Sequence, residues 1–296
     1  MKARIIDTGA VIQIARESTL APDEAMEMRR SLQDPATTAW NLATTAFYKA
    51  GGKPWKLAHV RPGVCYVGLV FKKLDRVSGP DNACCGAQMF LSSGDGVVFR
   101  GAVGPWYSED LGSFHLTKEQ ARTLLSMAVE AYKDIHGEAP SEIFIHGRIR
   151  YDNDEWAGFS EAVSGKTNLV GVQIAAGGGF RSGVKLFRYG KNPVLRGVAL
   201  IEDDRHAYLF TKGWIPRLRT YPGREVPNPL VIDIRRGEAS MEQVLEDIMA
   251  LTKLNFNSAN FSDGIPVTLR FANQVGEILT AGPQGSTPPL PFKFYI

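Results

Sequence analysis

Cysteine is scarce in this sequence and poorly spaced for structural chemistry. The 296 residues contain only Cys65, Cys84 and Cys85. The count is odd, two are adjacent, and no C-x-x-C or H-x-x-x-H spacing accompanies them. A disulfide scaffold and a structural zinc site are both disfavoured, and the three read as reduced thiols buried in strands. Long apolar runs are missing too. No stretch approaches the ~18 apolar residues of a membrane helix, and Met1 to Asp7 lacks the core of a signal peptide. The chain is therefore expected to be soluble and cytoplasmic, with no membrane partner. Internal repeats are absent. No G-x-G-x-x-G follows the first strand, which argues against a dinucleotide-binding fold. The late Gly177-Gly178-Gly179 reads as a hairpin or flexible loop, with a phosphate cradle as the alternative.

Strong overall charge is also lacking: 34 basic residues stand against 31 acidic, a net of +3. Yet Arg181 to Arg236 holds 12 Lys plus Arg and 5 Asp plus Glu. A basic segment in a near-neutral chain suggests a polyanion-binding face, or else a set of solvated faces. Hydrophobic residues make up 44% and charged residues 22%, enough for an ordinary buried core.

Asp34-Pro35 marks a helix start, with Ala36 to Lys49 helical and Gly51-Gly52 as the stop. Val64 to Phe71, Ala83 to Leu91 and Val97 to Ala102 read as three sequential strands, the last two joined by Ser93 to Gly96. Thr117 can cap a long helix, with Gln120 completing a capping box and Gly137 ending it. Strands at Glu142 to His146 and Leu169 to Ala175 flank a helix at Asp152 to Val163. Further strands follow near 198–201, 207–210 and 230–234, then a helix at Met241 to Leu254. Pro266 to Leu279 fits a strand or a helix. Three antiparallel strands, then alternating helices and strands, is the layout of a ribonuclease-H-like α/β fold: a mixed central sheet flanked by helices. The chain ends Phe292-Lys293-Phe294-Tyr295-Ile296 after a Pro/Gly/Ser-rich stretch. An apolar end suggests a tucked C-terminus.

Several blocks carry a family resemblance. Asp34 to Leu42 running into Tyr48 to Leu57 resembles the opening of an Argonaute PIWI domain. Lys212-Gly213-Trp214-Ile215-Pro216, Thr220-Tyr221-Pro222-Gly223 and Val226 to Leu230 resemble the short prokaryotic Argonautes. So do Leu251 to Ser258 and Pro266 to Ala272. On that resemblance, residues 31–296 form a PIWI domain and residues 1–30 the tail of a MID domain. The rest of the MID module would come from a longer protein or a separate chain.

Active Argonautes hold two Mg²⁺ ions with an Asp-Glu-Asp-X tetrad, X being Asp, His or Asn. The first Asp of the family pattern falls on Val70, and the second on His146 or a neighbour in Ile145 to Arg148. The final ligand falls on Asn273. Glu109 and Asp110 lie a few residues early for the Glu. A valine cannot hold a hard cation, so the resemblance implies an inactive, non-enzymatic type. The alternative is a nuclease that rebuilds its carboxylate site from Glu109, Asp152 or Asp154, although Asp152, Asp154 and Glu155 are better explained by helix capping and dipole complementarity.

The family's guide 5′-phosphate pocket maps onto Gln13 and Lys49, with the Tyr and first Lys of the motif upstream of this chain. Gln13 could equally be a surface polar residue, and Lys49 a cation complementing its helix C-terminus. In some relatives the terminal carboxylate holds a metal against the phosphate, here that of Ile296 with Mg²⁺. Lys185, Arg188, Lys191, Arg217, Arg219 and Arg224 are candidates for backbone phosphate contacts, which position a strand without reading it. The resemblance implies a small guide RNA, a complementary target DNA and a prokaryotic defence role. The output would then come from an APAZ-containing effector of TIR, Sir2 or nuclease type. A PIWI remnant that binds a partner but no guide is the other alternative.

Overall fold

A computed structural model describes residues 1–20, 34–57, 61–73, 82–91, 96–105, 107–108, 112–176, 184–217, 226–256, 264–281 and 289–296. Its helices are α1 (Lys2–Ile5), α2 (Glu17–Leu20), α3 (Pro35–Lys49), α4 (Lys118–His136), α5 (Asn153–Glu161), α6 (Met241–Leu251), α7 (Val267–Arg270) and α8 (Ala272–Ala281). The strands are β1 (Val64–Lys73), β2 (Asn82–Phe90), β3 (Gly96–Pro105), β4 (Tyr107–Ser108), β5 (Ser113–Phe114), β6 (Glu142–Gly147), β7 (Asn168–Ala176), β8 (Ala199–Ile201), β9 (His206–Leu209), β10 (Leu230–Arg236) and β11 (Leu290–Pro291).

Nine strands form one mixed sheet in the order β11-β3-β2-β1-β6-β7-β10-β9-β8. Consecutive β1, β2 and β3 pair antiparallel, while β1–β6 and β6–β7 are parallel. This is the expected ribonuclease-H-like order, with α4 and α5 supplying the crossovers. Side chains in the central strands alternate between two cores, as the period of two requires. Tyr66 and Phe144 enter a core built with α6, α7, α8 and the C-terminal tail. Cys65, Val67, Ile143 and Ile145 enter a second core under α4 and α5.

Local chemistry sets the helix ends. Asp34 accepts a hydrogen bond from the Thr37 amide at 2.9 Å, with Pro35 in the first turn. Thr117 accepts from the Gln120 amide at 3.4 Å, and Gly137 closes α4 with φ of 80°. The ambiguous segment after Pro266 is helical, as α7 and α8 with Phe271 between them. An apolar run alone does not separate the two periods. Cys65 is buried and free; the side chains of Cys84 and Cys85 lie outside the described residues, as do Ser93 to Asp95 and Gly177 to Gly179.

One glycine governs how closely the α7 layer approaches the sheet. A Cβ on Gly68 would stand 1.9 Å from the Thr268 carbonyl oxygen, a backbone atom with nowhere to move. Gly68→Ala is expected to cost about 3 kcal/mol by overpacking. Urea unfolding of the variant, read as a shift in midpoint at constant slope, checks this.

Candidate nucleic-acid interface

The C-terminal ends of β1 and β6 meet α8 at a cleft of about 370 Å³ lined in part by Leu69, Phe71, Arg148, Tyr151, Glu155 and Asn273. In a sheet with parallel central strands, this end is where ligands bind. Gly68 pairs with His146. Val70, two residues on, is therefore level with Arg148, and His146 sits one pleat deeper. Among Ile145 to Arg148, the candidates for the second carboxylate position, Arg148 is the one level with Val70.

Val70 offers a cation no donor atom, and His146 and Arg148 are already engaged. Val70 is fully buried, and its Cγ1 lies 3.5 Å from where a Gly276 Cβ would be. His146 is buried, with Nδ1 2.9 Å from Thr268 Oγ1 and its ring beside Tyr66. Burial pushes its pKa down to about 3, so the imidazole is neutral at working pH. Arg148 donates to the Leu269 carbonyl at 3.3 Å. Asn273 is exposed on the rim.

Among the described residues, Glu155 is the one carboxylate lining this cleft, and it is occupied. It accepts from the Leu116 amide at 3.2 Å and lies 3.4 Å from His115 Nδ1. Its job is therefore not capping of its own helix, as its position in the sequence suggests, but bracing the entry to α4. Asp152 does cap α5, accepting from the Asp154 amide at 3.3 Å. Among the described residues, no three His, Cys, Asp or Glu side chains cluster to hold a metal. Glu109 and Asp110 lie outside them.

The second candidate site is assembled from both ends of the chain. The buried face of α3 carries Thr44, Thr45, Tyr48 and Lys49. Tyr48 and Trp55 pack on Phe256 with ring centroids 4.7 and 5.0 Å away, and the Trp55 indole donates to the Lys253 carbonyl. This fixes the last turn of α3 and with it Lys49. From the other side, β11 pairs with β3 at the sheet edge, and Phe292 inserts edge-on between Phe90 and Phe271. The tail after it, through Tyr295 and Ile296, is buried as expected.

The two elements meet at Lys49. Its ammonium donates to the Lys293 carbonyl at 3.0 Å and to the main-chain oxygen of Ile296. Two residues picked from sequence, 247 positions apart, are thus in direct contact. Two more cations were not picked. Burial first, and the Lys2 ammonium second, push the Lys49 pKa down to about 8. The Lys293 ammonium would lie 3.8 Å from a Cβ on Gly51, just past α3. Lys2 and Lys293 carry no sequence signal beyond lying near the two ends of the chain.

The other residues fall out as follows. Gln13 is exposed and donates to the adjacent Ile14 carbonyl; no hydrogen bond among the described residues joins it to Lys49 or Ile296. Lys185 donates to the Val226 carbonyl at 3.0 Å and to Asn228. Arg188 lies over the Trp214 ring, 4.8 Å from its centroid. Lys191 and Arg217 are exposed, Arg217 in the left-handed region with φ of 63°. Arg219 and Arg224 lie outside the described residues.

Solved structures share this fold. Clostridium butyricum Argonaute bound to a guide DNA and a 19-mer target DNA superposes with a TM-score of 0.70 at 17% identity, over 100% of this chain and 37% of the other. The fold is Argonaute-like. Aquifex aeolicus Argonaute matches with a TM-score of 0.60 at 18% identity, over 86% of this chain and 34% of its own. Aa-Ago with externally bound siRNA matches at 0.63 and 17%, over 100% and 38%. The chain thus spans a little over a third of the Argonautes it matches. No family model and no curated protein matches it. Within this Argonaute-like fold, the nine-stranded sheet with β1 and β6 at its centre is the ribonuclease-H-like part, and no described helix is long and apolar enough to cross a membrane.

Proposed function

We propose that this chain is the non-cleaving PIWI module, with a MID tail, of a short prokaryotic Argonaute, and that it binds the 5′-phosphate of a small guide. The observation that carries the reading is Lys49 seated against the terminal residue, with Lys2 beside it and Lys293 at the end of α3, inside an Argonaute-like fold. A terminal phosphate bears more charge than a phosphodiester and offers more acceptor oxygens. A partly buried cluster of ammonium groups can therefore favour a 5′ end over mid-strand. The guide would then present its bases to a complementary target, with pairing and not protein contacts supplying sequence.

The implied Mg²⁺ fits this donor set. It characteristically takes one or two carboxylates, waters and phosphate oxygens, and the terminal carboxylate of Ile296 is the group that would hold it. When bound, it would offset the charge of the phosphate. The loss of nuclease activity is supported by an apolar Val70, a cationic Arg148 level with it, and a neutral His146 bonded to Thr268. The output would pass to a separate APAZ-containing effector acting in defence, with guide RNA and target DNA as the nucleic acids.

The test is anisotropy binding of a labelled 5′-phosphorylated ~20-nucleotide RNA against its 5′-hydroxyl form, with Mg²⁺ and with chelator, across a salt series. The phosphorylated strand should bind about 10-fold tighter or better, and no cleavage of a paired target should appear with Mg²⁺ or Mn²⁺. Equal binding of both forms defeats the guide-pocket reading and leaves a partner-binding remnant. Metal-dependent cleavage defeats the non-cleaving one.

A further inference from the structure

We propose that Phe187 and Tyr189 form a base-stacking platform for single-stranded nucleic acid, set among cations beside the segments that follow β9 and precede β10; the proposal rests on the reading of this chain as a nucleic-acid binder. Phe187 is 81% exposed and Tyr189 fully so, more than any other aromatic side chain among the described residues. Exposed rings of that size are costly to keep in water, and they are not scattered singly here.

The segment is held, not loose. Lys185 is tied to Val226 and Asn228. Arg188, between the two rings in sequence, lies on Trp214. Trp214 in turn exchanges backbone hydrogen bonds with Val194 and Arg196, at 2.9 and 3.1 Å. The rings are therefore carried on a braced stretch of backbone with their faces left to solvent.

The chemistry around them selects the occupant. Between Glu161 and Glu202 the sequence contains no acidic residue and six Lys or Arg. Lys185, Arg188 and Lys191 interleave with Phe187 and Tyr189. A protein-docking centre is depleted in lysine. Alternating cations and aromatics match instead a strand whose phosphates need counter-charge and whose bases need a π-face. Arg188, braced on Trp214, stays free on its outer edge to meet a phosphate. Stacking tolerates any base, so the platform would hold a strand without reading its sequence.

The full chain and F187A/Y189A are titrated with two fluorescein-labelled, 5′-phosphorylated 20-mers, one of deoxythymidine and one abasic with the same phosphates. The natural chain should prefer the base-bearing strand by about 10-fold or more. F187A/Y189A should lose most of that preference while keeping its affinity for the abasic strand and its salt slope. F187W/Y189W should retain the preference. An unchanged ratio of base-bearing to abasic affinity in F187A/Y189A overturns the platform. So does a self-association seen by sedimentation that is lost in F187A/Y189A while oligonucleotide binding stays intact, which would make the rings a protein contact. If that ratio is unchanged while the natural chain still prefers a 5′-phosphate over a 5′-hydroxyl strand, only this inference fails. If the natural chain binds neither strand, the nucleic-acid reading falls with it.

Discussion

Replacing Lys49 by alanine is expected to erase the preference for a 5′-phosphate over a 5′-hydroxyl guide, a loss of about 10- to 100-fold for the phosphorylated strand alone. The argument is one of geometry and charge. Lys49 is the residue that touches both the Lys293 carbonyl and Ile296, so it is the point at which a terminal anion would be gripped. Affinity for the 5′-hydroxyl strand should hardly change, because the proposed backbone contacts lie elsewhere. A parallel fall for both strands would mean that Lys49 acts only by holding the tail. The loss should not arise from unfolding. Burial disfavours the ammonium in the folded chain, where its pKa is pushed to about 8 from an ordinary value of 10.5. The unfolded chain then binds more protons between those values, so stability rises with pH across that window and the penalty is present in full below it. Lys49→Met, which keeps the stem and removes the charge, should therefore be no less stable than the natural chain at pH 7.

The same depressed pKa sets a pH dependence for binding. A phosphate requires the protonated amine. Above about pH 8 the free protein has lost that proton, and binding must recover it. The 5′-phosphate preference is expected to fall by up to about tenfold for each pH unit above that point, while Lys49→Ala shows no such slope. Anisotropy titrations between pH 7 and pH 10 separate the two.

What could be read in advance follows from what is local. The caps at Asp34 and Thr117 and the stop at Gly137 are decided by a few adjacent residues, and they stand where the sequence puts them. The run of three antiparallel strands needs only alternation and turns, and Phe292, Tyr295 and Ile296 are buried as apolar side chains should be. Features that depend on register or on remote convergence were not legible. Whether His146 or Arg148 stands level with Val70 turns on two residues of strand pairing. Glu155 looks like a helix-end acid in the sequence, and only the packing of α5 against the start of α4 turns it toward Leu116. Lys2 and Lys293 look like terminal surface cations until α1 and the tail are placed against α3 and α8. The contact of Lys49 with Ile296 was within reach because the resemblance named both residues; spacing alone does not.

Asp247→Ala is expected to destabilise the fold by about 2–3 kcal/mol. Asp247 on α6 is buried and accepts from Arg61 at 2.9 Å, from Gln243 at 3.1 Å and from the Tyr66 hydroxyl. Arg61 reaches on to Glu142 at 2.6 Å and lies over Phe144, 5.4 Å from its centroid. This network clamps α6 to the N-terminal ends of β1 and β6. Alanine removes the acceptor of the buried Tyr66 hydroxyl, which keeps only Arg61, and frees half of the Arg61 fork. Arg61 is 29% exposed and keeps Glu142, which holds the cost below that of a fully buried pair. Asn keeps one of the two acceptor oxygens that Arg61 and Gln243 use, so Asp247→Asn should cost about half as much. The sign of its pH dependence is fixed by burial, which raises the Asp247 pKa against the opposing bonds from Arg61, Tyr66 and Gln243. Between the ordinary value of 3.8 and the raised one, the folded chain holds the extra proton, and stability falls as pH rises through that window. Asp247→Asn does not pay to ionise, so its deficit should shrink from acid toward neutral pH, a trend that urea midpoints at several pH values will show. The clamp lies at the opposite end of the strands from the cleft. Asp247→Asn should therefore leave oligonucleotide binding intact, which separates the forces that hold the sheet from those that hold a guide.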